Sequence, residues 1–296
     1  MGTIAKLVKV WETKNAKNVA NASGISMMAL SLAACGGGGS APAPVVVDTT
    51  PVVVPVTSAL TIWNNTVAGT TGDDVVTGAR IDTVQVFNSG DSIALGDGND
   101  SLSATLNAGT VTPVAMTGVE NVMFTALGAA TVDFDNVSGV TSIISRGSSE
   151  TLLVDDIQEI PTSISINNNT AVQTFVIKDT AVAGTTDSVT LNFDGVGGVV
   201  NVGGETDGDG DIETFTIVAS AGASDLGVGN GFGADATTIT VNATSALDLG
   251  STAQFIASTN FDASASTAAV TSVFAAKTIA SETAVTIKGG AGADQF

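Results

Sequence analysis

Histidine and tyrosine are missing from this sequence altogether, cysteine occurs once, and only nine of its 296 residues are basic. Each shortage closes off a chemistry. Without histidine there is no Ser–His dyad, no imidazole base and no zinc site of the usual kind. With one cysteine no internal disulfide can form, so the fold relies on packing and on any metal it binds. Long apolar runs are also absent. Mean hydropathy is positive at +0.39, yet no uninterrupted apolar stretch reaches the roughly 18 residues that span a bilayer as a helix.

Charge is scarce and one-sided. Charged residues make up 13% of the chain, with 29 acids against 9 bases. Lys6, Lys9, Lys14 and Lys17 all fall at the start. After Cys35 five bases face 28 acids, a net charge of −23. A body this negative repels phosphates and anionic lipid, which argues against nucleic acid as a partner. It suits divalent cations instead. Twenty-two of the acids are aspartate, the short carboxylate of tight turns and oxygen cages, so Ca2+ is the expected cofactor.

What is present falls into four stretches. Residues 1–35 open with Ile4, Leu7, Val8 and Trp11 at the spacing of one helical face, among the four lysines. The apolar segment Ile25–Ala34 follows, then Cys35. A basic start, a short apolar run and small residues before a cysteine outline an export signal. Leu32-Ala33-Ala34-Cys35 resembles the lipobox of bacterial lipoproteins, which makes Cys35 a candidate for lipidation. The same stretch also fits an amphipathic anchor helix lying on outer-membrane lipid or lipopolysaccharide, or a helical hairpin in a cap. Residues 36–58, rich in Gly, Ser and Pro, read as a linker, part flexible and part extended.

Residues 59–288 alternate apolar and Thr/Ser/Asn positions in short segments broken every ten to twelve residues. Thr162–Ile166, Thr174–Ile177, Ser188–Phe193, Thr214–Val218 and Thr237–Val241 are examples. That is the pattern of strands with one buried face, and the fold class is all-β. A sandwich and a β-solenoid both fit. Even spacing, few aromatics and small inward residues favour the solenoid, with Asn64-Asn65 and Asn167-Asn168-Asn169 suited to its corners.

The acidic turns carry the chemistry. Residues 289–296, Gly-Gly-Ala-Gly-Ala-Asp-Gln-Phe, fill the calcium β-roll template G-G-x-G-x-D-x-U and stop one residue short of its nonapeptide, as the opening of a repeat that continues. Gly69–Val76 and Leu95–Leu102 each fit the same template but for one glycine. Glycines bring backbone carbonyls to an ion and the aspartate adds a hard oxygen. The candidate metal residues are therefore Asp74, Asp97, Asp100, Gly290, Gly292 and Asp294. Asp207, Asp209 and Asp211 join them, because Asp207–Asp211 opens like an EF-hand loop before departing from it at Ile212. The bland alternative is that Gly-Asp sequence simply turns well. Asp133/Asp135 and Asp155-Asp156 could be imagined as glycosidase acids but read as solvated surface, and no catalytic constellation emerges.

The cadence Asp100-Ser101-Leu102, Thr117-Gly118-Val119-Glu120-Asn121-Val122, Ser138-Gly139-Val140-Thr141-Ser142-Ile143, leading into the terminal motif, is similar to S-layer proteins and RTX-type adhesins of Gram-negative bacteria. That resemblance, over about residues 69–296, implies a calcium-binding β-solenoid that assembles outside the cell. The expectation is a non-enzymatic, S-layer-like structural protein of the cell surface that self-associates into a lattice or fibre. An adhesin or glycan-binding fibre module, and the N-terminal spacer of a secreted calcium-dependent enzyme, are the alternatives.

Overall fold

The computed structural model describes residues 53–205, 212–226, 236–250, 257–274 and 284–296. The segment 1–35 with Cys35, and Asp207, Asp209 and Asp211, lie outside them. Among the described residues there is no helix.

The chain is a parallel β-solenoid. Eleven strands stack in sequence order into one long sheet that begins with Thr57–Ala59, Val75–Gly78, Ser101–Leu106 and Asn121–Ala126. It continues through Ser142–Arg146, Ser163–Asn167, Ser188–Asp194, Thr214–Ala219, Thr238–Ala243, Asn260–Asp262 and Thr286–Lys288. Five of the segments picked out by alternation are strands here, with ends moved by a residue or two. A second face is formed by the strands that follow each rung, from Gly109–Val111 to Val200–Gly204, and then by Ser224–Asp225, Leu247–Asp248 and Val270–Thr271. At the N-terminal end a third face consists of Thr66–Ala68, Ser92–Ala94 and Ala115–Thr117.

Alternation sets the register. Ser101–Leu106 and Asn121–Ala126 both run half-buried, buried, half-buried, so every second residue enters the core. A one-residue slip would turn the whole apolar set outward, which ties the rungs to one alignment. The result is a column of like side chains along the axis: Val76, Leu102, Val122, Ile143, Ile164, Leu191, Ile217 and Val241 are successive register partners. Val111, Val132, Val154, Phe175 and Val202 form the matching column on the second face. β-Branched residues fit such stacking, because each branch packs on the one above and below.

At one level a group of polar residues enters the core together, and its members bond to each other. Buried Ser145 donates to Gln173 Oε1 at 2.6 Å and accepts from Asn169 Nδ2 at 2.8 Å, joining the long sheet to the second face. Asn169 Oδ1 accepts the Ser148 N–H at 2.8 Å, and Asn168 beside it has φ of 54°. The asparagine run does serve a corner: one residue supplies the left-handed turn and the next bonds along the stack.

On the outside, the long sheet is plain. Its two central outward columns run from Ser101 to Thr240 and from Ser103 to Asn242 across seven rungs, and hold only Ser, Thr, Asn, Met, Ile and Val. Carboxylates sit at the corners, on the second face and, on the rung after Thr240, at Asp262.

Candidate cation-binding corner

Three successive rungs enter the long sheet through acidic turns, and their carboxylates form a ladder. Asp74, Asp100 and Glu120 each stand immediately before a strand, at matched positions in register. Each carboxylate accepts the backbone N–H of the matched residue one rung earlier. Glu120 Oε2 takes the Asp100 N–H at 2.7 Å, Asp100 Oδ1 takes the Asp74 N–H at 2.6 Å, and Asp74 Oδ1 takes the Val56 N–H. The template's aspartate thus clamps the turn to the rung before it.

The three acids are not equivalent. Asp74 is buried and saturated with donors: its Oδ2 accepts the Thr70 N–H at 2.5 Å and its carboxylate also faces the Thr70 hydroxyl. The Val56 N–H above all, with Thr70, holds its carboxyl below the usual carboxylate pKa range against the cost of burial. Asp100 is buried completely, and its Oδ2 is the one buried side-chain oxygen or nitrogen among the described residues without a hydrogen-bond partner. Burial pushes its carboxyl up, the Asp74 N–H opposes this, and the charges of Glu120, Asp74 and Asp73 add to the rise. A buried anion short of a donor and crowded by other anions calls for a cation.

The glycines of the turn leave room for backbone oxygen. At Gly98, with φ of 143°, a Cβ would lie 2.7 Å from the Gly72 carbonyl oxygen and 2.8 Å from Asp100 Oδ1. At Gly96, with φ of 99°, it would strike the Thr70 carbonyl. Carbonyls of one rung therefore open onto the bare α-carbons of the next, beside carboxylates. Carbonyl and carboxylate oxygens are the kind of donor that a hard divalent cation takes.

The structure brings together some of the sequence candidates and separates others. Asp74 and Asp100 are ladder neighbours. Asp97 sits exposed at the turn's crest. Gly290, Gly292 and Asp294 repeat the first turn's local geometry: Asp294 Oδ2 accepts the Gly290 N–H at 2.7 Å and Oδ1 the Val270 N–H at 3.0 Å. The two glycines lie over carbonyls of the preceding rung, at Ala263, Ser266 and Ala268. That turn, however, leads into the second face through the bridge of Gln295 with Thr271, so it occupies a different corner and does not stack on the Asp74–Asp100 turns.

Three acidic features were not legible as sites. Glu120 hid in the Thr117–Val122 segment because the turn there is short and carries glutamate. A second two-step ladder joins Asp187, whose N–H donates to Glu213 Oε2 at 2.8 Å, and the Gly184-Thr185-Thr186 before it repeats Gly69-Thr70-Thr71. On the second face Asp133, Asp135 and Asp156 converge, with ligand atoms within 4.8 Å of one another. Lys178 already bridges Asp135 at 2.9 Å and Asp156 at 3.5 Å. Its ammonium is held above the usual lysine range, chiefly by the hydrogen bond to Asp135.

No family model, curated protein or solved structure matches this chain.

Proposed function

We propose that this chain is a non-enzymatic, calcium-stabilised structural protein of the bacterial cell surface, S-layer-like, that self-associates outside the cell. The observation that carries this reading is the buried, unpartnered Oδ2 of Asp100 among three other carboxylates and the carbonyl-lined turn. Asp100 would hold the ion, with Glu120 beside it and carbonyls of the Thr70–Gly72 turn completing its oxygen shell. Bound calcium supplies fixed positive charge, nothing more. It neutralises the corner and ties the turns of adjacent rungs together. Repetitive stacking, a net charge of −23 after Cys35 and the absence of histidine all suit a scaffold better than a catalyst. Lipid attachment through Cys35 would tether the scaffold to the outer membrane.

The test is a calcium titration of the purified chain starting in chelator, followed by circular dichroism and sedimentation velocity together. Calcium should raise the temperature at which the β signal melts, with growth in particle size at millimolar calcium. A melting temperature indifferent to chelator would reduce the acidic corner to ordinary turns. A chain that calcium stabilises yet that stays monomeric while binding a polysaccharide would instead favour an adhesin.

A further inference from the structure

Self-association of so acidic a body needs a surface on which two copies can meet without carboxylate facing carboxylate. We propose that the outer surface of the long sheet is that surface, and that its occupant is the same surface of a second copy, packed face to face. This rests on the self-association reading above and assigns it a place.

The argument begins with charge. After Cys35 the chain carries 28 acids against five bases, so two bodies repel in most orientations. The second face is a poor meeting ground, because Asp133 and Asp155 stand in register on adjacent rungs and Asp156 lies beside them. The two central outward columns of the long sheet are the opposite: seven rungs without a charged side chain. Charge enters at the edges: Asp262, paired with Lys288, follows Thr240 on the next rungs of the first column, and Arg146 and Asp194 share the marginal column. Met123 and Ile144 are register neighbours on the second and third of these rungs, and Val218 stands on the sixth of the same column. Apolar groups set among hydroxyls and amides, with charge confined to the edge, suit a protein–protein interface.

Size and shape agree. Seven rungs about 4.8 Å apart and strands of about six residues at ~3.3 Å each make a plate of roughly 30 by 20 Å. Two such plates bury on the order of 1,200 Å², at the lower bound of specific interfaces. A contact of that size is weak alone, as suits a reversible association. Pairing the same patch on two copies is isologous and closes as a dimer, leaving the acidic faces pointing outward.

The experiment places two glutamates on the plate, Met123→Glu with Val218→Glu, and for comparison two on the second face, Thr131→Glu with Thr174→Glu. All four side chains point outward, and both double variants add the same charge. Circular dichroism in calcium confirms that each is folded. Sedimentation velocity across a concentration series then reads association. The plate variant should associate at least about tenfold more weakly than wild type, since like charges meet across the contact, while the second-face variant should stay within about twofold of wild type. Equal weakening in both variants, or none in the plate variant, would overturn the assignment while leaving self-association intact. A wild type that remains monomeric at millimolar calcium would overturn the underlying reading itself. If the plate variant loses glycan binding but not self-association, the face belongs to a carbohydrate partner and the proposal falls.

Discussion

Replacing Asp100 by asparagine changes one atom of a buried side chain and should abolish what calcium does for stability. In chelator the wild-type Oδ2 is buried without a donor, and Glu120, Asp74 and Asp73 bear on it. A buried polar atom left unpaired costs about 1–3 kcal/mol, and more when charged. The amide keeps an oxygen for the Asp74 N–H and turns an NH2 toward the Glu120 carboxylate and the turn carbonyls. Asp100→Asn should therefore melt higher than wild type in chelator, by about 2–4 °C for each kcal/mol recovered in a domain of this size. Calcium inverts the order. At a hundredfold excess over the dissociation constant, an ion bound to the folded state alone adds about 2.7 kcal/mol, or roughly 5–11 °C. The wild type should gain that increment and the variant should not. Paired melts in chelator and calcium, by calorimetry or circular dichroism, measure both halves. An Asp100→Asn protein that melts lower than wild type in chelator, or that keeps the full calcium increment, would refute the reasoning.

Three further outcomes follow from the packing. Phe124, fully buried between Phe87 at 6.2 Å and Phe134 at 6.3 Å, should cost about 3–5 kcal/mol when changed to alanine, read as a lower urea midpoint. Gly96→Ala meets both a φ of 99° and the Thr70 carbonyl, so it should lower the melting temperature in chelator and calcium alike, whereas an equivalent change at Gly139, where a Cβ meets nothing, is left only with its φ of 83°. The Asp262 carboxyl is held well below its ordinary value of 3.8, first by Lys288 and then by Ser264. A depressed carboxyl contributes stability that is fully present above that ordinary value and fades as pH falls through the lower folded one. Hydrogen exchange of Thr286–Lys288 should therefore speed up only in strong acid, and Asp262→Asn should abolish that acid dependence.

The sequence displayed strands better than it displayed neighbours. Ser163–Asn167, Gln173–Ile177, Ser188–Asp194, Thr214–Ala219 and Thr238–Ala243 were legible because strict alternation leaves one reading of which side chains go inward. Even spacing with few aromatics then pointed to a solenoid. Which turn stacks on which was not legible, since the step between paired strands of the long sheet varies from 18 residues at Thr57–Val75 to 27 at Ser163–Thr190. With an irregular step, register cannot be counted forward. The template found Asp294, and its local hydrogen bonds match those at Asp74, but nothing in eight residues says which corner they turn. The Ser145–Gln173 bond was invisible for a related reason. Each residue alone reads as an outward polar position, and only the fold shows both pointing in and satisfying each other. Asp133, Asp135 and Asp156 looked like scattered surface acids because their convergence depends on two rungs lying one above the other.

The variable step between rungs has a consequence for how this protein comes into being. Nearly every bond between rungs joins residues fewer than 30 positions apart, and the Lys178–Asp135 contact, at 43, is among the longest. No strand waits for a distant part of the chain. Each newly emerged segment finds its template in the segment just before it, so the molecule can grow by addition at one end, as a crystal does. The Asp74–Asp100–Glu120 corner joins the first of the described rungs. Calcium bound there would order turns against which neighbouring rungs are laid, and its influence on assembly would exceed its share of the finished structure's stability.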